Sequence, residues 1–537
     1  MKKQYFILLL VSSLGFAQQD AWVYFNAKPS SQLYFNSPLQ MLSQRALDRR
    51  SNQSIALDTK DIPIEPSYIS QIKAKTGITV LAKSKWLNAI HVRGSQPNLN
   101  TLKTLPFVSK IDFADKSLNQ SGRISKSVKI KRVRKSENTK IDFAYGNSTN
   151  QILMLNGQVL HQQNFIGSGK IIAVMDSGFP GVDVAQPFQR LRDNNKILGG
   201  YNFVLRNSNF YSGDSHGTLV LSTMGGYKEN SLIGTAPDAS YYLFVTEDDN
   251  SENPIEESLW VEAAEKADSL GVDVINTSLG YFDFDNSSYD HTYSDMNGAT
   301  TFMSRAAEIA FSRGMIVVAS AGNSGASSSN PHIAVPADAV SVIAVGAVNA
   351  AKNRVSFSSI GPSFDQRIKP EIMAQGQSAV VSDQAGNIGL ANGTSFSAPI
   401  MAGMIASLWQ ALPQKTNRQI RDIVLKSADK FANPNNQFGY GIPNFALALN
   451  NNLSSNSLIV DEFIIYPNPT ADFISVLLPP QFKTGTLFIY NTNGQKMMEQ
   501  TVISNLPTIS LKSLDKGLYF YKMESDNFSK SGKIIKQ

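Results

Sequence analysis

The sequence GTSFSAP at residues 393–399 is the stretch from which the fold of the whole chain can be worked out. The small and apolar residues 400–406 that follow it are typical of a buried helix. The pattern predicts Pro399 in the first turn of that helix, where its missing N–H costs nothing. Ser395 then lies at the positive end of a helix, where negative charge near its oxygen is stabilised. Taken alone, the same letters also fit a plain turn that caps a helix.

Two other motifs favour a chemical role for Ser395. The apolar residues 170–175 predict a buried strand that ends at Asp176, on the edge where parallel sheets carry their active groups. His216 precedes Gly, Thr and an apolar helical run, and it is one of only 5 histidines in the chain. An acid, a histidine and a serine in this chain order match the order of the subtilisin triad. Each motif is weak by itself, but together with GTSFSAP they are specific.

On these motifs, residues 144–450 resemble the subtilisin-like serine peptidases. The resemblance implies hydrolysis of peptide bonds through an acyl-enzyme, with Ser395 as nucleophile and His216 as general base. It implies that Asp176 holds the imidazole in the required tautomer. Apolar strands alternate with helical segments over the same range, which predicts a doubly wound, mostly parallel α/β sheet.

Two further segments resemble the parts of this family that bind substrate. Residues 320–325, SAGNSG, follow an apolar strand and resemble the oxyanion segment, which implies a donor role for Asn323; without the resemblance they would indicate an ordinary turn. Residues 276–280, NTSLG, resemble the strand edge that pairs with an extended peptide. The residues implied to line the first specificity pocket are Ser278, Leu279, Gly280, Ala321 and Gly322.

The composition limits the compartment and the partners of the chain. Residues 1–17 carry two lysines followed by a short apolar run, which predicts a secretory signal peptide. The chain has no cysteine, so disulfides, thiol catalysis and cysteine-bound metals are excluded. The net charge of +6 is concentrated in residues 121–143, so no nucleic-acid groove is predicted. These residues indicate an exposed linker that proteases cut, although a solvated basic loop fits as well.

Residues 18–120 have the pattern of a small α+β domain and resemble the inhibitory propeptide of the same family. The helical period from Met41 to Arg50 places Arg45, Asp48 and Arg49 on the outer face of a helix. His91 falls in an alternating strand and is interpreted as a packing or surface histidine.

The C-terminal part of the chain changes in texture after a polar linker at residues 451–457. Short alternating strands in residues 458–537 predict a β-sandwich. The motifs YPNP at 466–469, NTNGQK at 491–496 and GLY at 517–519 resemble the sorting domain of the type IX secretion system of Bacteroidetes. The resemblance implies export through the periplasm, followed by secretion or display at the outer-membrane surface. A generic adhesion sandwich is the alternative.

The remaining expectations concern cofactors, partners and competing functions. The acidic residues 247–252, with Glu256 and Glu257, fit either a structural calcium site or a solvated loop, and the metal ligands are unknown. No cofactor is expected for the chemistry. A monomer is expected, with a protein or peptide substrate, its own propeptide as inhibitor and the secretion machinery as partners. The alternatives are a catalytically silent surface protein that binds peptides, or an adhesin whose C-terminal domain carries the function.

Overall fold

The computed structural model describes residues 18–119, 143–453 and 464–537, the last range with gaps at 467, 471, 478–483, 504–507 and 526–527. The predicted signal peptide, nearly all of the predicted basic linker and residues 454–463 lie outside the described residues. The chain divides into two compact units, the first ending at Asn450 and the second beginning at Asn451.

The N-terminal domain is an antiparallel sheet covered by helices on one face. Its strands are β1 (Gln18–Phe25), β2 (Ile78–Ser84), β3 (Ala89–Ser95) and β4 (Val108–Phe113), in the order β2-β3-β1-β4. Its helices are α1 (Ser31–Asn36), α2 (Gln44–Asn52), α3 (Pro66–Lys73) and α4 (Gln96–Thr101). Because side chains alternate along a strand, Val23 of β1 packs under α3 and α4 while Trp22 and Tyr24 face the next domain.

The catalytic-domain candidate is built on seven parallel strands. They are β5 (Ile171–Asp176), β6 (Ile197–Asn202), β9 (Ser240–Val245), β10 (Val274–Thr277), β11 (Ile316–Ser320), β12 (Ile343–Val348) and β13 (Ile372–Gln375). Their order is β13-β12-β11-β10-β5-β9-β6. Two short hairpins accompany the sheet: β7 (Tyr227–Lys228) with β8 (Leu232–Ile233), and β14 (Ala379–Ser382) with β15 (Ile388–Ala391).

Helices cover both faces of this sheet, so the predicted doubly wound α/β fold is confirmed. The helices are α5 (Thr149–Leu153), α6 (Gln158–Gln162), α7 (Gln189–Asp193), α8 (His216–Gly225), α9 (Ile255–Leu270), α10 (Phe302–Ser312), α11 (Thr394–Ala411), α12 (Asn417–Ser427) and α13 (Phe445–Leu453). Val174 of β5 packs on the side of α8 and α11, and its neighbour Met175 packs on the side of α9 and α10. Strands buried on both faces explain the continuous apolar runs in the sequence.

Strand β5 is the point where the strand order reverses. The chain passes from β5 to β6 and β9 on one side of it, and then to β10 on the other side. Ligands of open α/β sheets bind at such a switch point, beyond the carboxyl ends of the strands. Asp176 ends β5 there, and Ser278 follows the neighbouring strand β10 directly.

A network of buried charges around α2 fixes the N-terminal domain to the domain of the parallel sheet. Arg49 hydrogen bonds to the carboxylate of Asp268 and to the carbonyl of Val272, both in the parallel-sheet domain. Arg50 bonds to Asp268 at 2.7 Å and to Asp61, in its own domain, at 2.8 Å. The sequence places Arg49 on the outer face of α2, and as a prediction of exposure this is wrong. Its side chain is only 5% exposed, because that part of the helix packs against the parallel-sheet domain.

Arg45 lies one turn before Arg49 on α2 and makes a more exposed contact. It pairs with Asp273 at 2.6 Å and donates to the carbonyl of Gly271 at 3.0 Å, while its side chain stays 41% exposed. Because Asp273 directly precedes β10, this anchor lies at the end of the sheet opposite the switch-point edge.

The N-terminal domain also contacts α9 along its length. The carboxylate of Glu265 accepts hydrogen bonds from the backbone N–H groups of Lys85 and Trp86 at 3.0 and 2.9 Å. The hydroxyl of Ser258 lies 2.9 Å from both Trp22 Nε1 and His91 Nδ1. His91 is buried, so of the two roles predicted for it, packing or surface, the structure shows packing.

The C-terminal unit consists of strands. They are β16 (Ile464–Tyr466), β17 (Phe473–Leu477), β18 (Thr484–Tyr490), β19 (Lys496–Ile503), β20 (Thr508–Ser510), β21 (Gly517–Ser525) and β22 (Phe528–Lys536). They form two sheets, β16-β17-β20 and β19-β18-β21-β22, and side chains of both sheets share one core, as in the predicted sandwich. Among the described residues of the whole chain, no helix has the length and apolar character needed to cross a bilayer.

Candidate active site

The carboxyl edge of the parallel sheet brings Asp176 and His216 together. Asp176 is fully buried at the end of β5, and His216 is the first residue of α8. The Nδ1 atom of His216 lies 2.7 Å from Oδ1 of Asp176. A carboxylate can only accept, so Nδ1 carries the proton and the neutral ring keeps Nε2 free to take another. The arrangement is that of a general base held in one tautomer.

The electrostatics of the pair favour a charged imidazole. Burial by itself lowers the pKa of His216, but the charge of Asp176 and its hydrogen bond outweigh burial and hold the pKa above the ordinary 6.5. The backbone N–H of Ser177 also donates to Oδ1 of Asp176, at 3.0 Å, which orients the carboxylate. The pair therefore stabilises an imidazolium that forms when His216 takes a proton.

Ser395 lies at the start of α11, one residue after the helix begins. Gly393 precedes the helix with φ +150° and ψ 152°, a backbone conformation that only glycine adopts without strain. The predicted position of Pro399 is wrong: it lies inside α11, beyond the first turn, where an α-helical N–H bonds to the carbonyl four residues earlier. The carbonyl of Ser395 therefore lacks the helical N–H donor that residue 399 would otherwise supply.

The hydroxyl of Ser395 donates to the carbonyl of Ser278 at 3.1 Å. Within the described residues it makes no hydrogen bond to His216, although the imidazole ring lies 5.8 Å from the ring of Phe396, the next residue. In unliganded enzymes the catalytic hydrogen bonds are often long and tighten only when substrate binds. The structure therefore places the imidazole of His216 near the residue that follows Ser395, without a hydrogen bond between the two predicted catalytic residues.

Asn323 is held beside the N-terminus of α11 by Thr394. The side-chain carbonyl of Asn323 accepts from the backbone N–H and from the hydroxyl of Thr394, both at 2.9 Å. With its oxygen used in this way, Nδ2 is the end of the amide left to donate. Nδ2 lies 3.7 Å from the point where a Cβ on Gly393 would stand, and the Ser395 N–H lies 3.6 Å from the same point. Both donors therefore lie close to Gly393, at the start of the helix.

The residues predicted to line the specificity pocket lie on two neighbouring strand ends. The hydroxyl of Ser278 faces Ser395, with a 2.8 Å bond to its carbonyl. Gly280 is exposed, whereas Leu279 and Ala321 are buried. Gly322 has φ +102° and its N–H donates to the Thr394 hydroxyl at 3.2 Å.

The acidic loop that the sequence offered as a calcium site uses its carboxylates internally. Glu256 accepts from the backbone N–H groups of Asp248 and Asn253 at 2.8 and 2.9 Å. Burial, followed by neighbouring charges, raises the pKa of Glu247 to about 9, and burial raises the pKa of Glu256 to about 8. Among the described residues no group of three or more acidic or histidine side chains is arranged to hold a metal ion, so a calcium site in this loop stays a prediction.

Several residues of the site were not identified from the sequence. Thr394, which orients Asn323, could have been identified, because it directly precedes Ser395 in GTSFSAP. Asp214, whose carboxylate accepts from the His216 backbone N–H at 2.8 Å, and Glu247, which interacts electrostatically with His216, had none. Their roles depend on which loops the sheet brings together.

An imidazole ordered by a buried carboxylate, beside a serine at a helix start, is the constellation that serine peptidases use on parallel α/β folds. The fold and the site therefore place this chain in the serine peptidase class. The profile of the Subtilase family matches residues 167–441, which is about half of the chain, and the chain belongs to that family.

Comparison with known proteins also finds matches for the N-terminal and C-terminal regions, and relatives that cover about half of the chain. The Peptidase S8 propeptide domain of Bacteroidota matches residues 20–132, and the secretion system C-terminal sorting domain matches residues 464–537. Subtilisin NAT of Bacillus subtilis subsp. natto is 34% identical over 292 residues, which cover 54% of this chain and 68% of that protein. Subtilisin of Bacillus pumilus is 33% identical over 299 residues, covering 55% and 97% respectively. The chain is a serine endopeptidase with a propeptide domain, exported by type IX secretion to the cell surface or beyond.

Proposed function

We propose that this peptidase cleaves peptide bonds in proteins through an acyl-enzyme on Ser395, with His216 as the general base. The observation that carries the proposal is the 2.7 Å contact between His216 Nδ1 and Asp176, which leaves Nε2 as the proton acceptor beside the helix that carries Ser395. Rotation of the Ser395 side chain away from the Ser278 carbonyl, when substrate binds, brings its hydroxyl to His216. The serine then attacks the carbonyl carbon and its proton passes to Nε2.

The negative charge that develops on the substrate oxygen needs donors that are already in place. Asn323 Nδ2 and the Ser395 backbone N–H suit this role, because Thr394 fixes the Asn323 amide. The charged imidazole of His216, stabilised by Asp176, then returns its proton to the leaving amine. Water deacylates the enzyme by the same steps in reverse.

The substrate is proposed to bind as an extended peptide along the segments that follow β10 and β11. Residues 278–280 and 321–322 directly follow the neighbouring parallel strands β10 and β11, and Gly280 is exposed, which suits the addition of a peptide strand there. A monomer suffices for this function, because every residue of the proposed site comes from one chain. The N-terminal domain acts as inhibitor until the segment 121–143 is cut, a segment that lies almost entirely outside the described residues.

A fluorophosphonate probe, which reacts with activated serines, tests the proposal. The processed protein should be labelled, and Ser395→Ala should abolish labelling and lower turnover by about 10⁴–10⁶-fold. Ser397→Ala is a matched control, because this buried serine lies two residues further along α11 and its hydroxyl donates only to backbone carbonyls. Full-length Ser395→Ala protein should also accumulate uncut. Labelling that survives Ser395→Ala would mean that the catalytic serine lies elsewhere, and a processed wild type that is never labelled would favour the silent peptide-binding alternative.

A further inference from the structure

The proline inside α11 leaves the nucleophile's own peptide group short of a hydrogen bond. In an α-helix the carbonyl of residue i accepts from the N–H of residue i+4, so the partner of the Ser395 carbonyl is residue 399. That residue is Pro399, which has no N–H to give. Ser395 is buried, and a buried carbonyl without a donor is costly. Some other group has to complete the helix at this position.

Ser278 supplies the missing donor. Its hydroxyl donates to the Ser395 carbonyl at 2.8 Å, across 117 residues of sequence. In the opposite direction the Ser395 hydroxyl donates to the Ser278 carbonyl at 3.1 Å, so the two serines exchange a pair of hydrogen bonds. This pair joins the start of α11 to the end of β10, the strand proposed to pair with substrate.

A third residue fixes the direction of the Ser278 hydroxyl. Asn276 Nδ2 donates to Ser278 Oγ at 3.2 Å, and both side chains are buried. Because this amide nitrogen can only donate, the hydroxyl proton of Ser278 is free for the Ser395 carbonyl. The Ser278 hydroxyl therefore accepts from Asn276 and donates to the Ser395 carbonyl.

We infer that Ser278 is a positioning residue for the nucleophile rather than a residue whose side chain contacts substrate, and that it does the work of the N–H that Pro399 lacks. The inference rests on the proposed role of Ser395. It also gives Pro399 a function. Because residue 399 cannot donate the helical hydrogen bond, the carbonyl of Ser395 is held instead by Ser278, at the end of the proposed substrate-binding strand. The serine and the substrate are thereby placed by the same strand end.

Substitution of Ser278 tests the inference through a split between the kinetic constants. Ser278→Ala should lower kcat of the mature enzyme by about tenfold to a hundredfold, because a small displacement of a nucleophile costs that much. KM should stay within about twofold, because the backbone that binds peptide is unchanged. Ser278→Thr, which keeps the hydroxyl, should restore most of kcat. Ser407→Ala is the matched control: this buried serine on the same helix also donates to a backbone carbonyl, that of Thr235, and its loss should leave kcat unchanged.

The sharper test replaces the missing donor. In the double variant Ser278→Ala/Pro399→Ala, the new N–H at position 399 can bond to the Ser395 carbonyl, so kcat should rise well above that of Ser278→Ala alone. A double variant no faster than Ser278→Ala overturns the inference, as does a rise in KM alone. If Ser278→Ala does not fold, kcat of the double variant is compared with kcat of Ser278→Thr. Similar values support the inference, and a much lower kcat of the double variant overturns it. An active Ser395→Ala variant would instead refute the proposed function itself.

Discussion

Replacing Arg49 with methionine should lower the affinity of the N-terminal domain for the catalytic domain far more than the same change at Arg45, one turn away. Both arginines lie on α2 and both bond only to groups of the catalytic domain. They differ in burial, with side chains 5% and 41% exposed. Methionine keeps most of the apolar stem of arginine, so the comparison isolates the charged hydrogen bonds.

The magnitude follows from what each substitution leaves behind. Without Arg49, the carbonyl of Val272 loses its donor and the buried carboxylate of Asp268 keeps only Arg50. Truncating one partner of a buried, hydrogen-bonded charge pair costs about 2–5 kcal/mol of binding. At about 1.4 kcal/mol for each factor of ten, the inhibition constant should rise about 30-fold to a few thousandfold. The exposed contact of Arg45 is worth about 1 kcal/mol or less, which is about fivefold.

The assay is inhibition of the mature peptidase by separately produced residues 18–119, with a peptide substrate. Circular dichroism of each free variant serves as control: the hydrogen bonds that the structure shows for the Arg49 side chain, within the described residues, all reach the catalytic domain, so its loss should leave the N-terminal fold intact. The loss of affinity should appear as faster dissociation. Equal effects of Arg49→Met and Arg45→Met, or a larger effect at Arg45, would show that burial of the charge does not set the strength of this contact.

Three other perturbations test the site and the domains. Asn323→Ala should lower kcat about 10²–10³-fold with little change in KM, and Thr394→Val, which removes one of the two bonds that orient Asn323, should have a smaller effect in the same steady-state assay. Glu247→Gln, made in the Ser395→Ala background to prevent autolysis, should raise Tm at pH 9 but not at pH 4. The pKa of Glu247 is raised in the folded protein, so its contribution to stability is fully present below pH 4.5 and is lost as pH rises to about 9. Glutamine cannot ionise, so the variant avoids this loss. Calorimetry at both values checks this, with the exposed neighbour Asp249→Asn as control; equal shifts at both pH values would contradict it. Truncation after residue 453 should preserve kcat of the purified enzyme but abolish export, because the second compact unit carries the match to the sorting domain. Activity assays measure kcat and cell fractionation measures export. Normal export of the truncated protein would contradict the prediction.

The sequence was a good guide wherever chemistry depends on a local pattern. Strand β5 ends at Asp176 and α8 begins at His216, as the apolar runs beside each residue predicted. The doubly wound sheet followed from the alternation of strands and helices, because strands buried on both faces must be apolar throughout. These features need only neighbouring residues to be recognised.

Features that depend on contacts across the chain were missed or misjudged. Arg49 has the polar character and helical phase of a surface residue, and only the packing of α2 against another domain buries it. The pattern predicts Pro399 in the first helical turn because proline is common there, whereas Pro399 lies deeper in α11, where the Ser278 hydroxyl bonds to the Ser395 carbonyl. The bonds of the Glu256 carboxylate to backbone N–H groups of the acidic loop are likewise not visible in the composition.

Helix α11 carries the nucleophile and is also the most deeply buried helix of the fold. Sixteen of its 18 residues, from Thr394 to Trp409, are buried, and they pack against the sheet and against α8. Because nearly all of this helix is buried, its stability comes mainly from packing against the core, and a partly folded chain should not hold Ser395 in place. Refolding of the enzyme should therefore regain activity no sooner than Trp409 becomes buried.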